Sequence, residues 1–108
     1  MIEIKEEKVL FDGHEIRGEY PVHDARQVGN ILLVLYRPES FRGGQFRNLV
    51  AFDTLGSEVW KAELPTSTSM DAYYQIVSEN PIIADSYCSY RCTIDAITGR
   101  IIKKEFFK

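Results

Sequence analysis

An all-β fold is what this sequence predicts, and three observations predict it. Turn signals recur along the chain at Asp12-Gly13, Gly29-Asn30, Leu55-Gly56 and Thr98-Gly99, with Pro38, Pro65 and Pro81 as further breaks. The runs between them are short and rich in β-branched and aromatic residues. No segment sustains a 3.6-residue hydrophobic period over three turns. The best helical candidate, Ser69–Ile76, is short and carries two adjacent tyrosines. About eight to ten antiparallel strands and at most one helical turn are therefore expected. A chain of 108 residues has room for one core, so a single domain is expected over residues 1–108, as a compact sandwich or barrel-like body.

The elements follow in order. Val9–Phe11 and Glu15–Tyr20 flank Asp12-Gly13-His14 as an N-terminal hairpin within residues 1–22, because glycine accepts positive φ cheaply. Ile31–Tyr36 is apolar on both pleat faces, the pattern of a strand buried on two sides. Asn48–Phe52 and Glu58–Leu64 pair around the turn at 53–57. In the second of these, Trp60, Ala62 and Leu64 share one face and Lys61 and Glu63 the other, so one side is wet and Trp60 belongs to the core. The last strand, Arg100–Phe107, places Ile102 and Phe106 on one face.

The chain also repeats itself. Asn48–Trp60 matches Arg91–Ile102 when Asp53 is set on Asp95, which puts Val59 on Ile101 and Trp60 on Ile102. Asn30–Tyr36 and Asn80–Tyr87 occupy corresponding places upstream. A strand-turn-strand unit recurring at about 42 residues (95 − 53) is the period of a propeller blade, a sheet of four short strands. Two blade-like units are expected, at 23–64 and 73–108.

Ala51-Phe52-Asp53-x-x-Gly56-x-x-x-Trp60 resembles the blade motif of quinoprotein-type β-propellers, and Ile94-Asp95-x-x-Thr98-Gly99-x-Ile101-Ile102 resembles its Asp-x-x-Thr-Gly variant. From Glu19 to Lys108 the chain is similar to small bacterial all-β proteins that carry two such units. It departs from the pattern at Leu55, where a polar residue is commoner, and at Cys88-Ser89, where an Asp-Gly-like turn is usual. Two units cannot close the six-to-eight-blade ring that holds a quinone, so the resemblance carries no cofactor site to this chain.

Composition narrows the function. A 44% hydrophobic and 27% charged chain is an ordinary globular domain. Thirteen Lys and Arg against sixteen Asp and Glu leave a net charge of −3, against a nucleic-acid footprint. No apolar run approaches the ~20 residues of a membrane helix. Met-Ile-Glu-Ile-Lys-Glu-Glu has neither the basic flank nor the apolar stretch of a signal peptide, so a cytoplasmic setting with reduced thiols is expected.

No catalytic, metal or cofactor constellation emerges. Asp53 and Asp95 each enter a glycine turn, where a carboxylate accepts backbone N–H bonds. Cys88 and Cys92 lack the further ligands zinc needs, since His14 and His23 are distant in sequence and unpaired in spacing. With Cys88-Ser89 as a two-residue turn, Tyr87 faces Tyr90 and Asp85 faces Cys92, which disfavours a disulfide. No Ser lies in Gly-x-Ser-x-Gly, and Gly43-Gly44 lacks the continuation of a phosphate loop.

The loop at 37–47 is long for a hairpin connection and mixes arginines with phenylalanines, a composition suited to protein contact. Arg37, Phe41, Arg42, Phe46 and Arg47 are accordingly candidate partner-binding residues, joined by Asp71, Tyr73, Tyr74, Tyr87 and Tyr90 of the second unit. The expected function is a non-enzymatic protein-binding domain, in its most concrete form an immunity-type inhibitor whose acidity steers it onto a basic toxin domain. The alternative is a small-molecule or carbohydrate-binding module, or a cryptic enzyme, with a pocket between the units lined by Trp60, Tyr74 and Tyr87. A monomer or weak homo-oligomer is expected, the latter closing a ring from edge strands.

Overall fold

Turn chemistry decides where the chain reverses, and the described residues form eleven strands in three antiparallel sheets. A computed structural model describes residues 2–107; Met1 and Lys108, the outer ends of the segments 1–22 and 73–108, lie outside the described residues. β1 (Ile2–Lys5), β2 (Lys8–Phe11) and β3 (His14–Arg17) form an N-terminal sheet in that order. β4 (Val22–Val28), β5 (Ile31–Tyr36), β6 (Leu49–Phe52) and β7 (Glu58–Lys61) make a four-stranded meander. β8 (Tyr73–Glu79), β9 (Ile82–Ser86), β10 (Tyr90–Ile94) and β11 (Ile101–Phe106) make a second. The body is sandwich-like, and among the described residues no sheet closes into a barrel. No helix among the described residues is long and apolar enough to cross a membrane.

The alternation within β5 explains the layering. Leu32, Val34 and Tyr36 join a core with Val9, Phe11 and Ile16 of the N-terminal sheet. Leu33 and Leu35 turn the other way, into a core with Tyr73, Ile76, Ile82, Ala84, Cys92 and Ile94 of the second meander. The first meander is thus the middle layer of three, buried on both faces, as the doubly apolar run of β5 requires. The outer layers are amphipathic and leave charged residues such as Glu3, Lys5 and Lys103 exposed.

One side chain staples the two meanders. Asn48, fully buried just before β6, donates from Nδ2 to the carbonyls of Tyr36 (3.0 Å) and Tyr73 (2.7 Å). Its Oδ1 accepts the N–H of Tyr73 at 2.9 Å. An amide side chain has the donor and acceptor of a peptide unit, so Asn48 pairs with both backbone groups of Tyr73 as a neighbouring strand would. Further along the seam, Trp60 Nε1 donates to the Ala96 carbonyl at 3.0 Å and Glu63 Oε1 accepts the Ile101 N–H at 2.9 Å. Trp60 lies over Gly99, where a Cβ would stand 2.6 Å from the indole, so only glycine fits.

Several local expectations are corrected. The N-terminal hairpin is a three-stranded meander, because β1 precedes it through a turn with Glu6 at φ 55 and no glycine to announce it. Its third strand ends at Arg17 rather than Tyr20, where Gly18 passes close against the Tyr36 ring. Ser69–Ile76 contains no helix; Tyr73 opens β8, and the one helical turn among the described residues is Pro38–Ser40, started by the fixed φ of Pro38. In β11 a bulge against Thr93/Ile94 turns Ile101 inward and leaves Ile102 and Phe106 exposed.

The tip of the β9–β10 hairpin is also one residue longer than expected. Arg91 pairs with Asp85 and Cys92 with Ala84, so Tyr87, Cys88 and Ser89 form a three-residue loop. Ser89 adopts φ 70, the left-handed position that closes such loops with a bulge. Tyr87 therefore does not face Tyr90.

Asn48→Ala should cost at least about 3 kcal/mol, since it leaves buried backbone groups of Tyr73 unpaired at about 1–3 kcal/mol each. Urea unfolding measures this, and a loss below about 1 kcal/mol would show that the staple carries little weight.

Candidate functional site

The loop at 37–47 is anchored from beneath rather than free. Its turn is held by Ser40, whose N–H and Oγ both donate to the Arg37 carbonyl. Phe46 is buried, with its ring 4.9 Å from Tyr20 edge-on and 5.3 Å from Phe41. Its N–H donates to the Asp71 carbonyl, joining this loop to the one that leads into β8. Arg47 folds back and donates from its guanidinium to the carbonyls of Lys61 and Ala62, satisfying the end of β7. Phe46 is thus a buried anchor, which corrects its reading as a contact residue; Arg47 stays exposed while bonded to β7, Arg42 is exposed, and Arg37 and Phe41 are half-buried.

Asp71 ties in the third segment. Its Oδ1 accepts the N–H groups of Ala72 (3.0 Å) and Cys88 (3.4 Å), and its Oδ2 accepts the Thr66 hydroxyl at 2.7 Å. The carboxylate is buried, so it is the knot between the 65–72 loop and the hairpin tip and not a contact group. Tyr73 is likewise corrected. It is wholly buried, its hydroxyl donates to the Glu63 carbonyl at 2.6 Å, and burial pushes the phenol far above its ordinary range.

Three loops therefore meet at one end of the molecule: 37–47, 65–72 and the tip 87–89. Between them lies an open cleft of about 340 Å³, lined by Phe41, Arg42, Phe46, Met70, Asp71 and Tyr87 among others. A second hollow of about 540 Å³ adjoins it across Pro38, Met70 and Tyr87, reaching Cys88. Met70 and Tyr87 are 82% and 57% exposed, so the ridge between the hollows is apolar and open to solvent. Sequence reasoning missed Met70; an apolar side chain closing a run of Thr and Ser was the available signal.

The other candidates lie beside this face. Tyr74 packs on Tyr87 with ring centres 5.1 Å apart, supporting it from the sheet. Tyr90 sits edge-on to Phe106 at 5.6 Å, with Lys104 Nζ 5.1 Å from its ring centre. Asp85, buried, is held by Arg91 in a two-pronged ion pair at 2.8 and 3.0 Å and by Gln75, so it offers no free carboxylate. That pairing raises the Arg91 guanidinium further above its usual range.

Among the described residues Trp60 packs over Gly99 at the meander seam, and it lines none of the hollows described at Tyr74 and Tyr87. Asp53 Oδ1 accepts the N–H groups of Leu55 and Ser57, both at 2.9 Å, and Asp95 Oδ1 those of Ile97 and Thr98. Each carboxylate is committed to its own turn. Among the described residues, no group of three or more His, Cys, Asp or Glu side chains is placed to hold a metal ion.

Residues 1–106 match a protein family described as a domain of unknown function, DUF7957. No curated protein and no solved structure matches the chain.

Two measurements check this geometry. Asp71→Ala should destabilise by about 2 kcal/mol, the scale of a lost buried hydrogen-bond hub, with a matching drop in thermal midpoint. Both cysteines are free, yet Cys92 is buried and burial pushes its thiol up, whereas Cys88 lies at the face. At pH 8 iodoacetamide should therefore alkylate Cys88 alone in the native protein, as read by peptide mass spectrometry. Equal labelling at both positions would contradict the sealed inner core.

Proposed function

The chain belongs to the DUF7957 family, and we propose that it is a non-enzymatic protein-binding domain whose contact face is the three-loop end around Met70 and Tyr87. One observation carries this reading: a solvent-exposed apolar ridge held rigidly by buried anchors. Exposed Met70, Tyr87 and Arg42, with half-buried Phe41 beside them, are residue types enriched at protein interfaces, while Phe46, Asp71 and Arg47 fix the loops that present them. A preset face loses little conformational freedom on binding, which favours affinity. The two clefts are open to solvent on one side, unlike the enclosing pockets that bury most of a small molecule. That speaks for a macromolecular partner over the small-molecule alternative.

In its most concrete form the reading is an inhibitor of a co-encoded bacterial toxin in the cytoplasm. The support is the same rigid face on a small β body whose two motif aspartates are both spent on turns. The four-stranded meanders, stacked face to face, support the propeller-blade resemblance in the same spirit.

Co-expression with the product of the adjacent gene tests this. A co-purifying complex is expected, along with protection from any toxicity, and Met70→Asp or Tyr87→Asp should weaken the complex at least about tenfold with unchanged thermal midpoints. A complex indifferent to both substitutions would place the interface elsewhere, and no complex would remove the toxin form of the reading.

A further inference from the structure

We propose that the free edge of β11 pairs with β11 of a second copy of this chain, antiparallel and about a two-fold axis at Lys104, joining the two four-stranded outer meanders into one continuous sheet. β11 supplies none of the residues that line the two hollows of the three-loop end, so this surface is a further one.

The second meander runs β11-β10-β9-β8, which leaves β11 paired to a strand on one side only. Every residue from Ile102 to Phe106 is exposed. At the start of the strand Glu63 Oε1 accepts the Ile101 N–H, so the open stretch of edge begins at Ile102. At its far end the Phe107 N–H donates back to the Ser89 carbonyl. Backbone groups alternate in direction along an antiparallel ladder, so those of Lys104 and Phe106, opposite Cys92 and Tyr90, face the open edge. The same stretch exposes two large apolar side chains, Ile102 at 65% and Phe106 at 66%. An edge with outward backbone groups and exposed apolar side chains is a template for another strand.

Charge complementarity selects a second copy as that strand. Laid antiparallel on itself about Lys104, the run Ile102-Lys103-Lys104-Glu105-Phe106 sets Ile102 opposite the partner's Phe106 and Lys103 opposite the partner's Glu105, and the symmetry makes each contact twice. The outward backbone groups of Lys104 then meet their own equivalents as a hydrogen-bonded pair. Neighbouring registers fail on charge: an axis at Lys103 sets that lysine against itself, and an axis at Glu105 does the same with the carboxylate. Within one chain Lys103 and Glu105 form an exposed ion pair at 3.5 Å, which two copies extend into a square of alternating charge. Lys104, which meets itself on the axis, has its charge drawn aside: Nζ donates to the Pro65 carbonyl at 2.8 Å and lies 5.1 Å from the Tyr90 ring centre. Such a pairing uses the same edge on both chains and closes at two copies rather than in a ring.

Sedimentation velocity of the full chain over a concentration series tests the pairing. A species of twice the chain's mass should form by about 100 μM, a range suited to a small and therefore weak interface. Amide exchange at Lys104 and Phe106 should slow as it forms. Lys103→Glu and Glu105→Lys should each weaken the dimer at least about tenfold by setting like charges opposite one another. An equimolar mixture of the two variants should recover it, because an all-acidic edge then faces an all-basic one, with circular dichroism confirming that each variant is folded. A monomer at every concentration, a dimer indifferent to both substitutions, or a mixture that stays monomeric would overturn the proposal. Assemblies larger than two, as from β11 adding to the β8 edge, would overturn it as well.

Discussion

The buried amide of Asn48 is the constraint on which the rest of this fold depends. A four-stranded meander has two free edges and two faces, and packing faces together by apolar contact alone leaves their relative slide undecided. Asn48 decides it. Its side chain reads the N–H and C=O of one residue, Tyr73, and that pairing is satisfied at a single register. From there the hydroxyl of Tyr73 reaches the Glu63 carbonyl, and Glu63 reaches the backbone of Ile101. The chain of bonds runs from the centre of the middle layer to the edge of the outer one. A buried polar group costs free energy unless fully paired, so the same bonds that align the layers penalise every other alignment.

The loops at the contact end inherit this alignment. The middle meander supplies 37–47, the connection between meanders supplies 65–72, and the outer meander supplies the tip 87–89. None is rigid on its own account. Phe46 and Asp71 join them through one backbone bond and a set of carboxylate bonds, and these close only because Asn48, two residues past Phe46, has already set the layers in place. The cleft is therefore a product of the layer stacking, although no residue that lines it shows this in sequence.

What was legible in the sequence follows the range of the interactions. The all-β class, the doubly buried β5 and the inward Trp60 rest on alternation, which a strand carries within itself. The turn roles of Asp53 and Asp95 rest on contacts spanning two to four residues and were legible for the same reason. β1 escaped notice because its turn uses Glu6 in a conformation that Gly or Asn normally announces. The site was half legible. Composition singles out Phe41, Arg42 and Tyr87, which line the cleft, but it singles out Phe46, Asp71 and Tyr73 equally, and these are buried. What separates the two groups is partners 10 to 25 residues away, and these no local pattern encodes. Asn48 itself reads as an ordinary strand residue until its partners are seen.

Ser89 shows how such a face can vary over evolutionary time. Its left-handed backbone lets the tip hold three residues, and that count aims Tyr87 outward over Tyr74. Side-chain direction in a hairpin alternates with every position, so one insertion or deletion here would turn the tyrosine to the opposite side and swap which residues meet a partner. Exchange of residue type at 87 or 88 leaves the frame untouched. Diversification at this tip is therefore confined to point substitution at constant length, with position 89 restricted to residues that tolerate a positive φ: an alphabet that is free at two places and nearly closed at the third.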